Sequence, residues 1–95
     1  LVIALDAFKK TQQYKEGKNI QGLTPLQRYF LGYAYGWMQT RTPERLASIL
    51  LTDVHAPIFL RVNGPMSNCD AWYTAFNVKP THKMYRDSSE RVRIW

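Results

Sequence analysis

The sequence predicts an all-α fold. Apolar residues recur at helical spacing near the start of the chain and again from Leu26 to Met38. Two Thr-Pro pairs, Thr24-Pro25 and Thr42-Pro43, each open such a pattern. A third opening, Ser67-Asn68-Cys69-Asp70, precedes Trp72, Ala75 and Phe76.

The elements follow in order. Leu1, Ala4, Leu5 and Phe8 share one helical face, and Gly17 is a natural stop, so one helix is expected over about residues 1–16. "GKNIQG" then forms a connecting loop. Thr24 caps the next helix, Pro25 takes its first position and Gln27 completes a capping box. Apolar side chains cover nearly the whole circumference of "PLQRYFLGYAYGWMQTR", so that helix is expected to be buried on most sides. Gly32 and Gly36 lie on one face, where another backbone can come close. Thr42-Pro43-Glu44 opens a short helix through Leu46, Ala47, Ile49 and Leu50. Pro57 forbids its simple continuation. Ile58 to Val62 is read as extended and Asn63-Gly64-Pro65 as a turn. The Ser67–Asp70 box starts a last helix, and the pattern from Asn77 onward is irregular.

Ninety-five residues make at most one small domain. The apolar and aromatic content is that of a chain built to pack. The earliest methionine is Met38, and Leu1 opens an apolar run with neither a polar lead-in nor a basic signal-peptide region. The chain is therefore expected to be a piece of something longer. The net charge of +6 comes from scattered basic residues, which favours a solvated face over a nucleic-acid surface. No apolar run is long enough to span a bilayer. Cys69 stands alone, with no internal disulfide partner and no local sign of a nucleophile. The two histidines, His55 and His82, lack metal-ligand spacing.

The chemistry concentrates in "TDVHAPIFLRVNG", residues 52–64. Asp53 and His55 are two apart, and side chains at that spacing project to one side of an extended loop. The Asp53 carboxylate can then hold His55 in one tautomer and favour its protonated form, and a histidine held this way is a good hydrogen-bond donor to a developing oxyanion. Arg61, six residues on, presents a fork suited to a carbonyl or carboxylate. The opposing reading is a loop that satisfies itself, with Asp53 capping a turn and Arg61 in a salt bridge.

With these residues in view, the chain resembles the C-terminal end of the neprilysin and endothelin-converting-enzyme family of zinc metallopeptidases. The resemblance rests on "LTPLQRYFLGYAYGW", "TDVHAP", "RVNGPMSN", "AWYTAFNV" and the closing "RVRIW", in order along almost the whole chain. It implies that residues 1–95 are the helical C-terminal piece of a thermolysin-like catalytic domain, ending at Trp95. By the same resemblance His55 stabilises the tetrahedral intermediate and Asp53 orients it. Arg61 hydrogen-bonds the substrate backbone, and Trp37 lies near the pocket for the residue after the scissile bond. Zinc would be held by an H-E-x-x-H helix and an E-x-x-x-D motif, neither of which this sequence contains, so this piece alone is expected to bind no metal and hydrolyse no peptide. The implied partners are peptide substrates and the remainder of the catalytic domain, with self-association through uncovered apolar surface. Placement outside the cytoplasm is also implied by the resemblance, and a bacterial source by Arg93 and Ile94, which occupy the stretch where animal relatives carry a cysteine. Ala56 stands in place of a common serine, Gly36 in place of a larger apolar residue, and Ile58-Phe59-Leu60 in place of a more polar approach, which bears on substrate preference. The rival class is a non-catalytic, basic helical protein-interaction module.

Overall fold

The computed structural model describes residues 1–93; Ile94 and Trp95, with the expectation that Trp95 ends the protein, lie outside the described residues. Six α-helices follow one another: α1 Val2–Phe8, α2 Gln12–Glu16, α3 Pro25–Gly36, α4 Pro43–Thr52, α5 Ile58–Ser67 and α6 Asp70–Phe76. A 3-10 turn at Ser88–Glu90 is the last regular piece, and no strand occurs among the described residues. The all-α expectation holds.

The single helix expected over residues 1–16 is two. Thr11 divides it, because its hydroxyl donates to the Phe8 carbonyl at 2.7 Å and accepts from the Tyr14 amide at 3.3 Å. One short side chain thereby closes α1 and caps α2. Gly17 ends α2 in the left-handed conformation, with φ of 65°. Helix α3 begins as its sequence requires: Gln27 N–H donates to the Thr24 hydroxyl and Thr24 N–H to the Gln27 side chain. Thr42 caps α4 by accepting from Arg45 N–H.

Residues 58–65 depart from the expected extended run and turn, for they form α5 with Pro65 inside it. Proline lacks the N–H that would bond the carbonyl four residues earlier, here that of Arg61. The Tyr33 hydroxyl of α3 donates to that carbonyl instead, at 3.0 Å. The Gly64 carbonyl is taken by the Ser67 hydroxyl and the Asn68 side-chain amide. Packing then decides the outcome, since helical spacing puts Val62, Met66 and Cys69 against the core. Ser67 and Asn68, occupied in this way, do not form the expected box, and α6 starts from Cys69 without a side-chain cap.

The core is made by Leu5, Phe30, Met66, Cys69, Trp72 and Tyr73, drawn from α1, α3, α5, α6 and the short link between the last two. Phe30 is wholly buried, and Gln27 ties α3 to α6 by donating to the Ala75 carbonyl at 2.9 Å. The expected burial of α3 on most sides is not met by this chain. Leu31 and Tyr35, one turn apart, and Met38 just beyond the helix are exposed, Tyr35 to 74%. The irregular segment after α6 is fastened to the core. Arg91 lies 3.5 Å above the Tyr73 ring, and Arg93 and Arg91 both pair with Asp70, lowering its pKa.

Tyr73 donates to the Ser67 carbonyl at 2.7 Å and accepts from Arg86 N–H at 2.9 Å. Tyr73→Phe keeps the ring but leaves both partners without it. The expected loss is about 1–3 kcal/mol, the usual cost of unsatisfied buried polar groups. Denaturant unfolding of the two proteins measures it directly.

Candidate functional site

The chemistry predicted from residues 52–64 is held between two helix ends. Asp53 is the residue at which α4 stops, and its N–H still bonds the Ile49 carbonyl at 2.8 Å. Pro57 precedes α5, and its carbonyl accepts from Leu60 and Arg61 N–H. Residues 53–57 are thus a short bridge anchored at both ends.

Within the bridge, the Asp53 Oδ1 accepts from His55 N–H at 2.8 Å and lies 2.9 Å from His55 Nδ1. An ionised carboxylate only accepts, so Nδ1 carries the proton of that bond and Nε2 is left to face a ligand. The two bonds from His55, backbone first and ring second, hold the Asp53 carboxyl below its ordinary value of 3.8, with a smaller contribution from Arg41. Both side chains meet solvent: His55 is 64% exposed and Asp53 40%. The expected pairing of Asp53 with His55 is present, and so is the turn-capping contact of the opposing reading. The two are compatible, because one oxygen serves both.

Arg61 does not form the salt bridge of the opposing reading with any described residue. Its guanidinium lies over the Trp37 ring, 4.2 Å from the centroid, a cation–π stack that fixes its plane. Trp37 caps the C-terminal end of α3, and Tyr33 of the same helix holds the Arg61 carbonyl. Helix α3 therefore sets both the backbone and the side chain of Arg61.

These four residues surround one cavity of about 360 Å³, whose walls include Trp37, Asp53, His55 and Arg61. Gly36 and Ala56, noted above as unusual positions, line it as well, and neither fills it. A Cβ placed on Gly36 would meet no atom within 4 Å. A neighbouring cavity of about 330 Å³ shares Trp37 and is lined also by Ala34, Leu46, Pro57 and Val62. The sequence reading missed Arg41 and Ile49 as wall residues and Tyr33 as the support of Arg61. Arg41 and Ile49 carry no local motif, and the need for Tyr33 appears only once Pro65 is known to be helical.

Cys69 belongs to the core and lines a different cavity, beside Leu1 and Leu5. His82 is engaged locally, its Nδ1 accepting from Lys79 N–H at 3.0 Å. No three of the His, Cys, Asp and Glu side chains among the described residues converge as a metal site. Those residues do not fit a zinc centre by themselves.

The lowered Asp53 pKa carries a linkage with a definite sign. A carboxyl depressed on folding contributes stability that is full above its unfolded value and is lost as pH falls through its folded value. The Asp53 carboxyl carbon, followed by NMR, should titrate below 3.8. The His55 amide resonance should shift in the same step, and a midpoint at or above the ordinary value would contradict the observed bonding.

Residues 1–92 match the sequence profile of Peptidase family M13. The chain is 44% identical to the neutral endopeptidase of Lactobacillus helveticus over 70 residues, which cover 74% of this chain and 11% of that protein. It is 36% identical to mouse endothelin-converting enzyme 1 over 78% of this chain and 9% of the relative. Against neprilysin-1 of Caenorhabditis elegans it is 32% identical over 94% of this chain and 13% of the relative. The cryo-EM structure of the Mycobacterium tuberculosis zinc metalloprotease Zmp1 in its open state superimposes with a TM-score of 0.84 at 33% identity, covering 99% of this chain and 14% of that one. The chain spans about a tenth of the length of these curated relatives. A shared backbone course and sequence motifs in the same order lead to one conclusion: the chain belongs to Peptidase family M13.

Proposed function

We propose that residues 1–95 are the C-terminal part of the catalytic domain of a zinc metalloendopeptidase, and that they supply its auxiliary groups rather than its metal. The observation that carries this reading is the convergence of the Asp53–His55 pair and the Trp37-stacked Arg61 on one cavity. Zinc is assigned to the remainder of the domain, since the described residues here do not fit it. When a peptide occupies the cavity, His55 donates from Nε2 to the oxygen that gains charge at the scissile carbonyl. That donation uses the ring with both nitrogens carrying a proton, one of them shared with Asp53. Arg61, held flat on Trp37, donates to the substrate backbone. Cleavage on the amino side of large apolar residues is the preference proposed, in line with the family resemblance and with an apolar cavity against Trp37. Placement outside the cytoplasm is proposed on the resemblance; no described helix is long and apolar enough to cross a membrane.

The rival reading, a basic helical interaction module, draws support from exposed apolar residues. Leu51 is 89% and Val54 94% exposed, beside Tyr35, Met38 and Phe59. In the peptidase reading the rest of the catalytic domain covers these side chains. Only that reading requires an H-E-x-x-H motif upstream in the same gene.

Kinetics of the full-length enzyme test the assignment. His55→Ala should lower kcat by about 10²–10³, as loss of one oxyanion donor does, with zinc content unchanged. Asp53→Ala should act in the same direction more weakly, because it removes only the orienting partner. Arg61→Ala should act largely on KM, the mark of binding that is equal in ground and transition states. Were the loop mere scaffolding, all three variants would melt early and keep the kinetics of the folded enzyme.

The 95-residue chain by itself should hydrolyse no peptide and should self-associate through its uncovered apolar side chains. Sedimentation and binding of an environment-sensitive dye measure the second point. A dye-silent monomer would mean that these side chains need no covering partner.

A further inference from the structure

We propose that Arg41 and Arg61 together receive a carboxylate of the bound peptide, which makes Arg41 a specificity-determining residue. This rests on the peptidase reading above and adds to it the chemical class of substrate. The cavity wall carries two arginines and one aspartate. One oxygen of that aspartate, Oδ1, already accepts two bonds from His55. Arg61 is stacked on Trp37, and Arg41, half-buried, makes no hydrogen bond or ion pair with the described residues. Arg41 is close enough to act on the charge of Asp53, so its field reaches the Asp53–His55 pair. Two arginines against one aspartate leave the wall with a net positive charge, which attracts an anion. Their planar forks match a carboxylate better than any neutral group.

The supports differ, which sets the geometry. Arg41 comes from the residues ahead of α4, and Arg61 from the first turn of α5. The cavity of about 360 Å³ that both residues line has room for several heavy atoms. A C-terminal carboxylate and an acidic side chain share this chemistry, and the experiment separates them.

The full-length enzyme is assayed with two matched peptide pairs. One pair differs only in a free or amidated C-terminus. The other differs in Glu or Gln, moved through the positions flanking the scissile bond. The unaltered enzyme should favour the carboxylate member of one pair by about tenfold in kcat/KM, the effect of one charge-assisted hydrogen bond. The pair that shows the preference identifies the source of the carboxylate. Arg41→Gln should erase the preference, read as the ratio of kcat/KM for the two members of the pair, so that any common effect on both members cancels. Arg41→Lys, which keeps the charge without the fork, should retain part of the preference and serves if Arg41→Gln fails to fold. Equal cleavage of both members by the unaltered enzyme overturns the inference alone. A preference that survives in Arg41→Gln or stays undiminished in Arg41→Lys also overturns it. Failure to cleave any member, or an unchanged kcat in His55→Ala, sinks the peptidase reading and this inference with it.

Discussion

The burial of Phe30 is the constraint on which the rest of the structure depends. It is the one fully buried large side chain among the described residues, and it fixes the rotation of α3 about its own axis. With that rotation set, Tyr33 and Trp37 fall three and seven residues further along the same face. At about 1.5 Å of rise per residue, Trp37 stands some 10 Å from the core along one stiff rod. The site inherits its geometry from the packing of a ring that never touches it. A helix free to turn by a third of a revolution would carry Tyr33 away from Arg61 and Trp37 out of the cavity.

The charged part of the site is built differently. Asp53, His55 and Ala56 sit on a bridge with little burial, and its order comes from local hydrogen bonds and two anchored ends. Such a segment gains no large apolar stabilisation, so its precision rests on shortness and on the Asp53 contacts. Arg61 joins the two regimes: its backbone is held from α3, while its side chain leans on Trp37, the residue that caps that helix. Electrostatics at the cavity then follow from position, with one oxygen of the acid held by His55 and two arginines outnumbering it on the wall.

Much of this was legible in the sequence, for identifiable reasons. The capped starts of α3 and α4 were readable because Thr-Pro and Thr-x-x-Gln act within one turn, where no tertiary contact competes. The Asp53–His55 pair was readable for the same reason. The break at Thr11 was not, since one hydroxyl serving two helices leaves no distinct pattern beside an unbroken apolar face. Helix α5 was misread because Asn63-Gly64-Pro65 is a turn signal whenever the backbone must satisfy itself. Here a hydroxyl from another helix supplies the missing donor, and the core outweighs the local preference. Arg41 escaped notice because nothing near it in sequence says which cavity it will border.

The hydroxyl of Tyr33 and the ring nitrogen of Pro65 are complementary defects, one a donor without a helical role and the other a missing donor. Their relation gives the two positions an order in time. A lineage that first exchanges Pro65 for a residue with an N–H restores the bond to Arg61, after which Tyr33 can become phenylalanine at little cost. The reverse order passes through an intermediate whose Arg61 carbonyl has no protein donor, beside the side chain that must stay in register. Drift at these two positions is therefore a one-way street: the tyrosine is free to leave only after the proline has gone.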